Sequence, residues 1–340
     1  MSTTPNPLIG AISKAMVKLR ADDDMLALME AHASLNPLAI EKLDYEAARR
    51  NPTIADAMRV MLEAQGRSSD PESLVHGVRS RDITIDGAEG LLHARIYTPP
   101  GTAPFPVVVY FHGGGWVLAN KDVYDAGARG LCKQSGAIVI SVDYRRAPEH
   151  RFPAAWNDAL AAYKWTLANG ATLGGDPERV ALAGESAGGN LALATAIAAR
   201  NSQLVPPVHV LAVYPVTQTS LNTEAYLENA IAKPLNRSMM QWFFEHVVED
   251  AQDLEDPRLQ LIDAELEGLP PVTLITAHID PLRGDGVKMQ SALESAGVEV
   301  VRRDYAGVTH EFFGAAAVLE KAREAQKFAG QQLRQAFGTA

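Results

Sequence analysis

Ser186 lies in the stretch "LAGESAGGN", where Gly184, Ser186 and Gly188 follow the pattern G-x-S-x-G. A serine hydroxyl attacks an acyl carbon well only when a neighbouring base takes its proton and a third group orients that base. Four histidines follow Ser186: His209, His246, His278 and His310. His209 falls inside the strand-like run "VHVLAVYP" and reads as a packed histidine. His246 falls in the helix-like "SMMQWFFEHVVED", and His278 has no strand-end acid before it. His310 stands in "YAGVTHEFFG", read as a loop between the last strand and the final helix, from which an imidazole can swing over a sheet edge. For a serine on a strand-to-helix turn the partners follow in the order Ser, acid, His. "VTLITAHIDPLRGDG" offers Asp280 and Asp285 as the acid. Asp280 comes directly off a strand, with Pro281 to set the turn. Asp285 falls near the start of the next helix, where a carboxylate also suits the helix dipole. Asp280 is the expected acid, placed to hold the His310 tautomer and stabilise the imidazolium.

The oxyanion formed by such an attack needs hydrogen-bond donors. "YFHGGGWV" runs off a strand into Gly113, Gly114 and Gly115. Consecutive glycines let successive backbone N–H groups face one point. Gly113 and Gly114 are the expected donors, joined by Ala187 at the start of the helix after the serine. A phosphate cradle is the rival reading, but the Lys and Ser/Thr of a P-loop are missing. Trp116, beside the glycines, and Glu185, beside the serine, are the candidate substrate-binding residues. No metal-ligand cluster accompanies them.

These groups require a scaffold that brings strand ends together. From about residue 78, short Val- and Ile-rich runs alternate with helix-like stretches: "FPVVVYFHG", "AIVISVDY", "RVALAGES", "VHVLAVYP", "VTLITAH" and "VEVVRRDY". Near-continuous apolar strands separated by helices predict an α/β fold with a mostly parallel sheet covered on both faces. "VRSRDITI" and "LLHARIYTP", joined at "DGAEG", predict an antiparallel hairpin at its start. Residues 1–75 read as helical: "IGAISKAMVKLR", "DYEAARR" and "NPTIADAMRVMLEAQG", the last with Pro52 near its start and Gly66 after its end. Residues 217–268 exceed what a crossover needs and read as a helical insertion. The expected organisation is an N-terminal helical part over 1–75 and a catalytic domain over 76–340 carrying the insertion at 217–268. Five bulky residues of the insertion, Met239, Met240, Trp242, Phe243 and Phe244, read first as its own core and second as a pocket wall.

The whole chain agrees with such a scaffold. Its 340 residues are 47% apolar and 21% charged, enough for a large core. A net charge of -10 argues against nucleic acid and anionic membranes as partners. Cys132 is the single cysteine, so no intrachain disulfide forms; it reads as a buried structural thiol. The N-terminal stretch shows no secretory pattern and no run approaches a membrane span, so the expected setting is cytoplasmic.

The stretches "HGGGW", "DYRRAPEHRFPAA", "GESAGGN" and "DPLRGDG", with a histidine before the final helix, resemble the hormone-sensitive-lipase-like branch of the α/β-hydrolases, specifically its bacterial carboxylesterases. The resemblance spans about residues 80–335. It implies an eight-stranded α/β-hydrolase sheet, a cap formed by the helical N-terminus and the insertion, and hydrolysis of short-chain acyl esters through an acyl-enzyme, with no cofactor or metal. It supports Ser186, Asp280 and His310 as the triad. It also implies that His112, with Gly115, organises the glycine loop rather than moving protons. The oligomeric state stays open at this point; a homodimer paired through the edge of the last strand is frequent in such enzymes and stands as an analogy. Departures from the family pattern are Glu185 where Asp or Thr is commoner, Arg146 in place of Leu, Gly284 in place of an acid, and His278 in place of Glu. An amide hydrolase or deacetylase on the same scaffold is the alternative activity. A non-catalytic small-molecule receptor is a further alternative, which the presence of His310 opposes.

Overall fold

The structure, a computed structural model, describes residues 20–339. The helix-like "IGAISKAMVKLR" therefore lies outside the described residues except for its last position. Among the described residues four α-helices come first: α1 (Asp23–Ser34), α2 (Tyr45–Ala48), α3 (Ile54–Ala64) and α4 (Pro71–Leu74). The start of α3 is written in local chemistry. The Thr53 hydroxyl accepts from the Asp56 N–H, and the Asp56 carboxylate accepts from the Thr53 N–H at 2.9 Å. Its buried residues Ile54, Ala57, Met58 and Leu62 share one helical face.

The sheet then forms from β1 (Arg79–Gly87), β2 (Gly90–Thr98) and β3 (Phe105–Phe111), followed by α5 (Asp125–Ser135), β4 (Ile138–Asp143), α6 (Ala154–Asn169) and β5 (Gly175–Glu185). Next come α7 (Ala187–Asn201), β6 (Val210–Val213), α8 (Glu224–Glu228) and α9 (Arg237–Val247). The chain closes with β7 (Val272–Ile279), α10 (Arg283–Ser295), β8 (Val300–Thr309) and α11 (Glu320–Ala336). The eight strands lie in the order β1-β2-β4-β3-β5-β6-β7-β8. β1 pairs antiparallel with β2 through the Gly87–Gly90 hairpin, β2 antiparallel with β4, and the remaining neighbours pair parallel.

Strand residues alternate between two cores, one on each face of the sheet. Val107, Val109 and Phe111 join one, and Val108 and Tyr110 the other. The first core gathers α6, α7 and the bulky residues of α9. The second gathers α5, α11 and the apolar faces of α1 and α3. Two boundaries differ from the sequence reading. His209 precedes β6 rather than lying within it, and β8 continues through "DYAGVT" to Thr309, so His310 follows directly on a strand. The extension exists because Thr309 pairs with Ile279 beyond an irregularity in the β7–β8 ladder. Such non-local pairing is invisible to a periodicity reading. Among the described residues, no helix is long and apolar enough to cross a membrane.

Candidate active site

β5 delivers Ser186 at its C-terminal end. The Ser186 N–H donates to the Val213 carbonyl at 2.8 Å, which keeps the turn in the plane of the sheet before α7 begins. Ser186 has φ 57° and ψ -118°, a costly conformation for a residue with a side chain. The glycines around it are required sterically. A Cβ on Gly184 would strike the Gly188 backbone, and one on Gly188 would strike the Phe111 and His112 carbonyls. α7 thus starts directly against the ends of β3 and β5, and the N–H of Ala187, at the first position of the helix, is left without an intrahelical acceptor.

β7 and β8 deliver the other two groups. Because Ile279 pairs with Thr309, the next residues, Asp280 and His310, leave the sheet side by side. His310 Nδ1 lies 2.6 Å from Asp280 Oδ2, and Nε2 lies 3.0 Å from Ser186 Oγ. Asp280 Oδ1 accepts from the Leu282 N–H at 2.9 Å, and Asn229 donates to the Asp280 carbonyl at 3.2 Å. All three side chains are buried. Burial opposes charge on His310, but the Asp280 carboxylate, then Glu311 and Glu185, outweigh it and hold the imidazole above its ordinary value of 6.5. The His310 ring also rests on Tyr214, with centroids 4.4 Å apart.

The glycine loop follows β3. The Gly113 and Gly114 N–H groups donate to no protein acceptor among the described residues. Gly114, at φ 100°, folds so tightly that a Cβ there would strike the Leu118 carbonyl. His112 lies beneath the loop, fully buried. Its Nδ1–H donates to the Gly113 carbonyl at 2.7 Å, its own carbonyl accepts from Tyr144 Oη at 2.8 Å, and its ring stacks on Tyr144. Burial pushes its pKa down to about 4, so the ring is neutral and structural. Gly115 touches the ring of Phe243, which brings α9 onto the loop.

Ser186, His310, Gly114 and Gly115 open into a cavity of about 540 Å³. One wall comes from Leu26, Met29, Ile40 and Ile54; the other comes from Leu235, Met239, Met240 and Phe243. The two candidate substrate-binding residues stand elsewhere. Trp116 is buried behind the glycine loop, stacked on Trp156 at 5.2 Å, and does not line this cavity. Its bulk is taken up by the core because the loop turns it inward. Glu185 is also buried, on the far side of the turn, where its carboxylate accepts from the hydroxyls of Tyr110 and Tyr214. Burial raises its pKa to about 7 despite those two donors. Of the bulky α9 residues, Met239, Met240 and Phe243 reach the cavity; Trp242 and Phe244 pack away from it.

The competing candidates are accounted for too. Asp285 is buried and accepts from Thr217 N–H and Gln218 Nε2, tying α10 to the chain after β6. His209 bonds Thr273 at 2.9 Å, His246 packs on Trp242, and His278 pairs with Asp304.

A family model described as alpha/beta hydrolase fold matches residues 108–314. The chain belongs to the α/β-hydrolase fold family. Within its hormone-sensitive-lipase-like branch, the chain is 39% identical over 280 residues to carboxylesterase NlhH of Mycobacterium tuberculosis, covering 80% of this chain and 88% of that one. It is 31% identical over 318 residues to ethyl acetate hydrolase of Pseudomonas putida, covering 91% and 96%. Among solved α/β-hydrolase structures, a hyperthermophilic esterase from the archaeon Pyrobaculum calidifontis superposes with a TM-score of 0.79 at 36% identity, covering 88% of this chain and 95% of that one.

Some residues of this α/β-hydrolase site escaped the sequence reading. Glu311, next to His310, has φ 63°, lines the cavity and accepts from Tyr124 Oη at 3.1 Å. Tyr214 supports His310, and Tyr144 supports His112. Tyr144 lies in the "DYRRAPEHRFPAA" stretch without its role being read there, and Tyr214 and Glu311 stand at a strand end and in a loop with no motif to mark them. Adjacency to His310 was the one available signal, for Glu311.

Proposed function

We propose that Ser186, His310 and Asp280 hydrolyse carboxylic esters through an acyl-enzyme, with the N–H groups of Gly113, Gly114 and Ala187 holding the oxyanion. The chain is a carboxylic ester hydrolase, as its curated relatives are. The observation that carries the mechanism is the continuous relay from Asp280 through His310 to Ser186, at 2.6 and 3.0 Å. His310 Nε2 takes the Ser186 proton as Oγ bonds to the ester carbon. The carbonyl oxygen takes the electron pair and rests on the backbone donors. Collapse expels the alcohol, which leaves with the proton from His310. Water then repeats the sequence, its proton passing to His310 and back to Ser186 as the acid departs. Asp280 keeps the proton on Nδ1 throughout.

The helices before residue 75 and the segment 217–268 act as a cap, since both contribute cavity walls around Ser186. The cavity's carbon-rich lining supports esters with apolar acyl groups as substrates, and the likeness to an ethyl acetate hydrolase supports short ones. Hydrolysis of p-nitrophenyl esters from acetate to palmitate, with Ser186→Ala alongside, tests this reading. The expected outcome is a peak at short chains and loss of activity on the order of 10⁶-fold in the variant. A peak at long chains corrects the substrate class, and retained activity in Ser186→Ala overturns the mechanism.

A further inference from the structure

The oxyanion loop does not hold itself. Gly114 and Gly115 have positive φ, and so do Trp116 at 59° and Ala119 at 61°, where a side chain makes the conformation costly. Near the start of the loop the Gly113 carbonyl accepts from His112 Nδ1–H, and the Gly114 carbonyl accepts from the N–H groups of Val117 and Leu118. The next carbonyls are gripped from outside. Trp116 O accepts from the Ala147 N–H at 2.9 Å. Val117 O accepts from Arg49 Nε at 2.9 Å, and Ala119 O accepts from Arg146 Nη1.

Arg49 is the unusual member of this set. It is the C-cap residue of α2, in the helical N-terminal segment, 68 residues before Val117. Its Nη2 also donates to the Ala147 carbonyl at 3.0 Å, so one guanidinium bridges the oxyanion loop and the segment that the loop leans on. Nη1 and Nη2 close on the Glu149 carboxylate at 2.5 and 2.8 Å. The group lies over the Tyr45 ring at 4.9 Å. Four of the five N–H groups of Arg49 are thus committed to protein acceptors. Arg49 borders the cavity, yet little of its donor capacity is left for substrate.

We propose that Arg49 is a positioning residue for the oxyanion hole: by bridging Val117 and Ala147 it makes the docking of the N-terminal helices a condition for a competent glycine loop. This rests on the reading of Gly113 and Gly114 as oxyanion donors. Arg146, an unexpected arginine in its motif, holds the far end of the same loop. Lysine cannot replace Arg49, because a point charge does not reach two carbonyls and a carboxylate in one plane.

The test is steady-state kinetics of Arg49→Ala and Arg49→Lys on p-nitrophenyl butyrate, with Ser186→Ala and the surface variant Arg59→Ala as controls. A loop shifted by about 1 Å costs on the order of 100-fold, so kcat should fall about 10- to 100-fold in Arg49→Ala with KM changed far less. Affinity for a trifluoromethyl ketone, whose adduct on Ser186 carries the oxyanion, should fall by the same factor as kcat/KM. Guanidinium below denaturing concentration should restore part of kcat in Arg49→Ala. Arg59→Ala should match the parent enzyme. If Arg49→Ala does not fold, Arg49→Lys decides: a lowered kcat supports the proposal and an unchanged kcat overturns it. Should Ser186→Ala stay active, or the ketone fail to inhibit the parent, the oxyanion reading itself fails. If both controls behave and Arg49→Ala keeps kcat within about twofold, only the role of Arg49 is overturned.

Discussion

Around Ser186 the side chains are held by named hydrogen bonds: Asp280 receives both His310 and the Leu282 N–H, and the His112 carbonyl accepts from Tyr144 while its Nδ1–H donates to Gly113. Across the cavity, most of the wall is methionine, leucine, isoleucine and phenylalanine carbon, with Glu30, His32, Asn51 and Lys233 among its polar members. The two regions obey different rules. Hydrogen bonds and close backbone contacts have narrow geometry, so one wrong atom near Ser186 is felt at once. Apolar packing tolerates exchange among side chains of similar volume, so the wall can change shape while the reaction continues. The same molecule therefore holds a rigid reacting end and an adaptable receiving end.

Beyond Ser186→Ala and the Arg49 variants, three substitutions probe this contrast. Asp280→Asn has the largest expected effect. Its amide would keep Oδ1 on the Leu282 N–H and set an N–H group against His310 Nδ1, which favours the tautomer that cannot accept from Ser186. A loss of about 10⁴-fold in kcat is expected, with the fold retained, measured by kinetics and circular dichroism. An active Asp280→Asn enzyme would break the picture of a demanding reacting end. Met239→Ala has a smaller effect and tests the other end. Removing this buried wall residue enlarges the cavity, so the acyl-length optimum should move upward while kcat/KM on acetate falls less than about tenfold. A collapse of activity on every ester would show that the wall is not adaptable.

The smallest effect concerns pH. In the proposed mechanism catalysis needs neutral His310, whose pKa stands above 6.5, so activity should rise as pH climbs above the ordinary histidine range and then level off. Glu185 is one of the carboxylates holding that value up. Glu185, itself pushed up to about 7, carries its charge only over the upper part of this range, so Glu185→Gln should move the acid limb of the kcat/KM profile slightly to lower pH. An unmoved limb would detach Glu185 from the electrostatics of the base and leave it a purely structural partner of Tyr110 and Tyr214.

Much of the reacting end was legible because its constraints are local. Gly184 is demanded by a contact within one turn, with the Gly188 backbone, and Asp280 and His310 were marked by their place after strands; Gly188 also answers to the distant Phe111 and His112 carbonyls, which only the fold brings near. The α3 cap and the β1–β2 hairpin were legible for the same reason. Trp116 and Glu185 were misplaced because a neighbour in sequence need not be a neighbour in the cavity. A sharp turn sends adjacent side chains to opposite sides, one to Ser186's cavity and the other into the core. The chain's composition and charge bounded its class without naming any wall residue.

What the sequence determined by itself was the order of strands and helices, and it marked the serine turn, the glycine loop and the candidates for acid and base. Each rests on backbone sterics or short-range periodicity. The tertiary structure alone decided that β8 runs on to Thr309 and pairs with Ile279, which sets Asp280 beside His310. It alone decided that α9 presses Phe243 onto Gly115 and that Arg49 reaches Val117. Those contacts join residues far apart in the chain. Their geometry follows from how two cores pack on one sheet, and no local pattern of residue types records that.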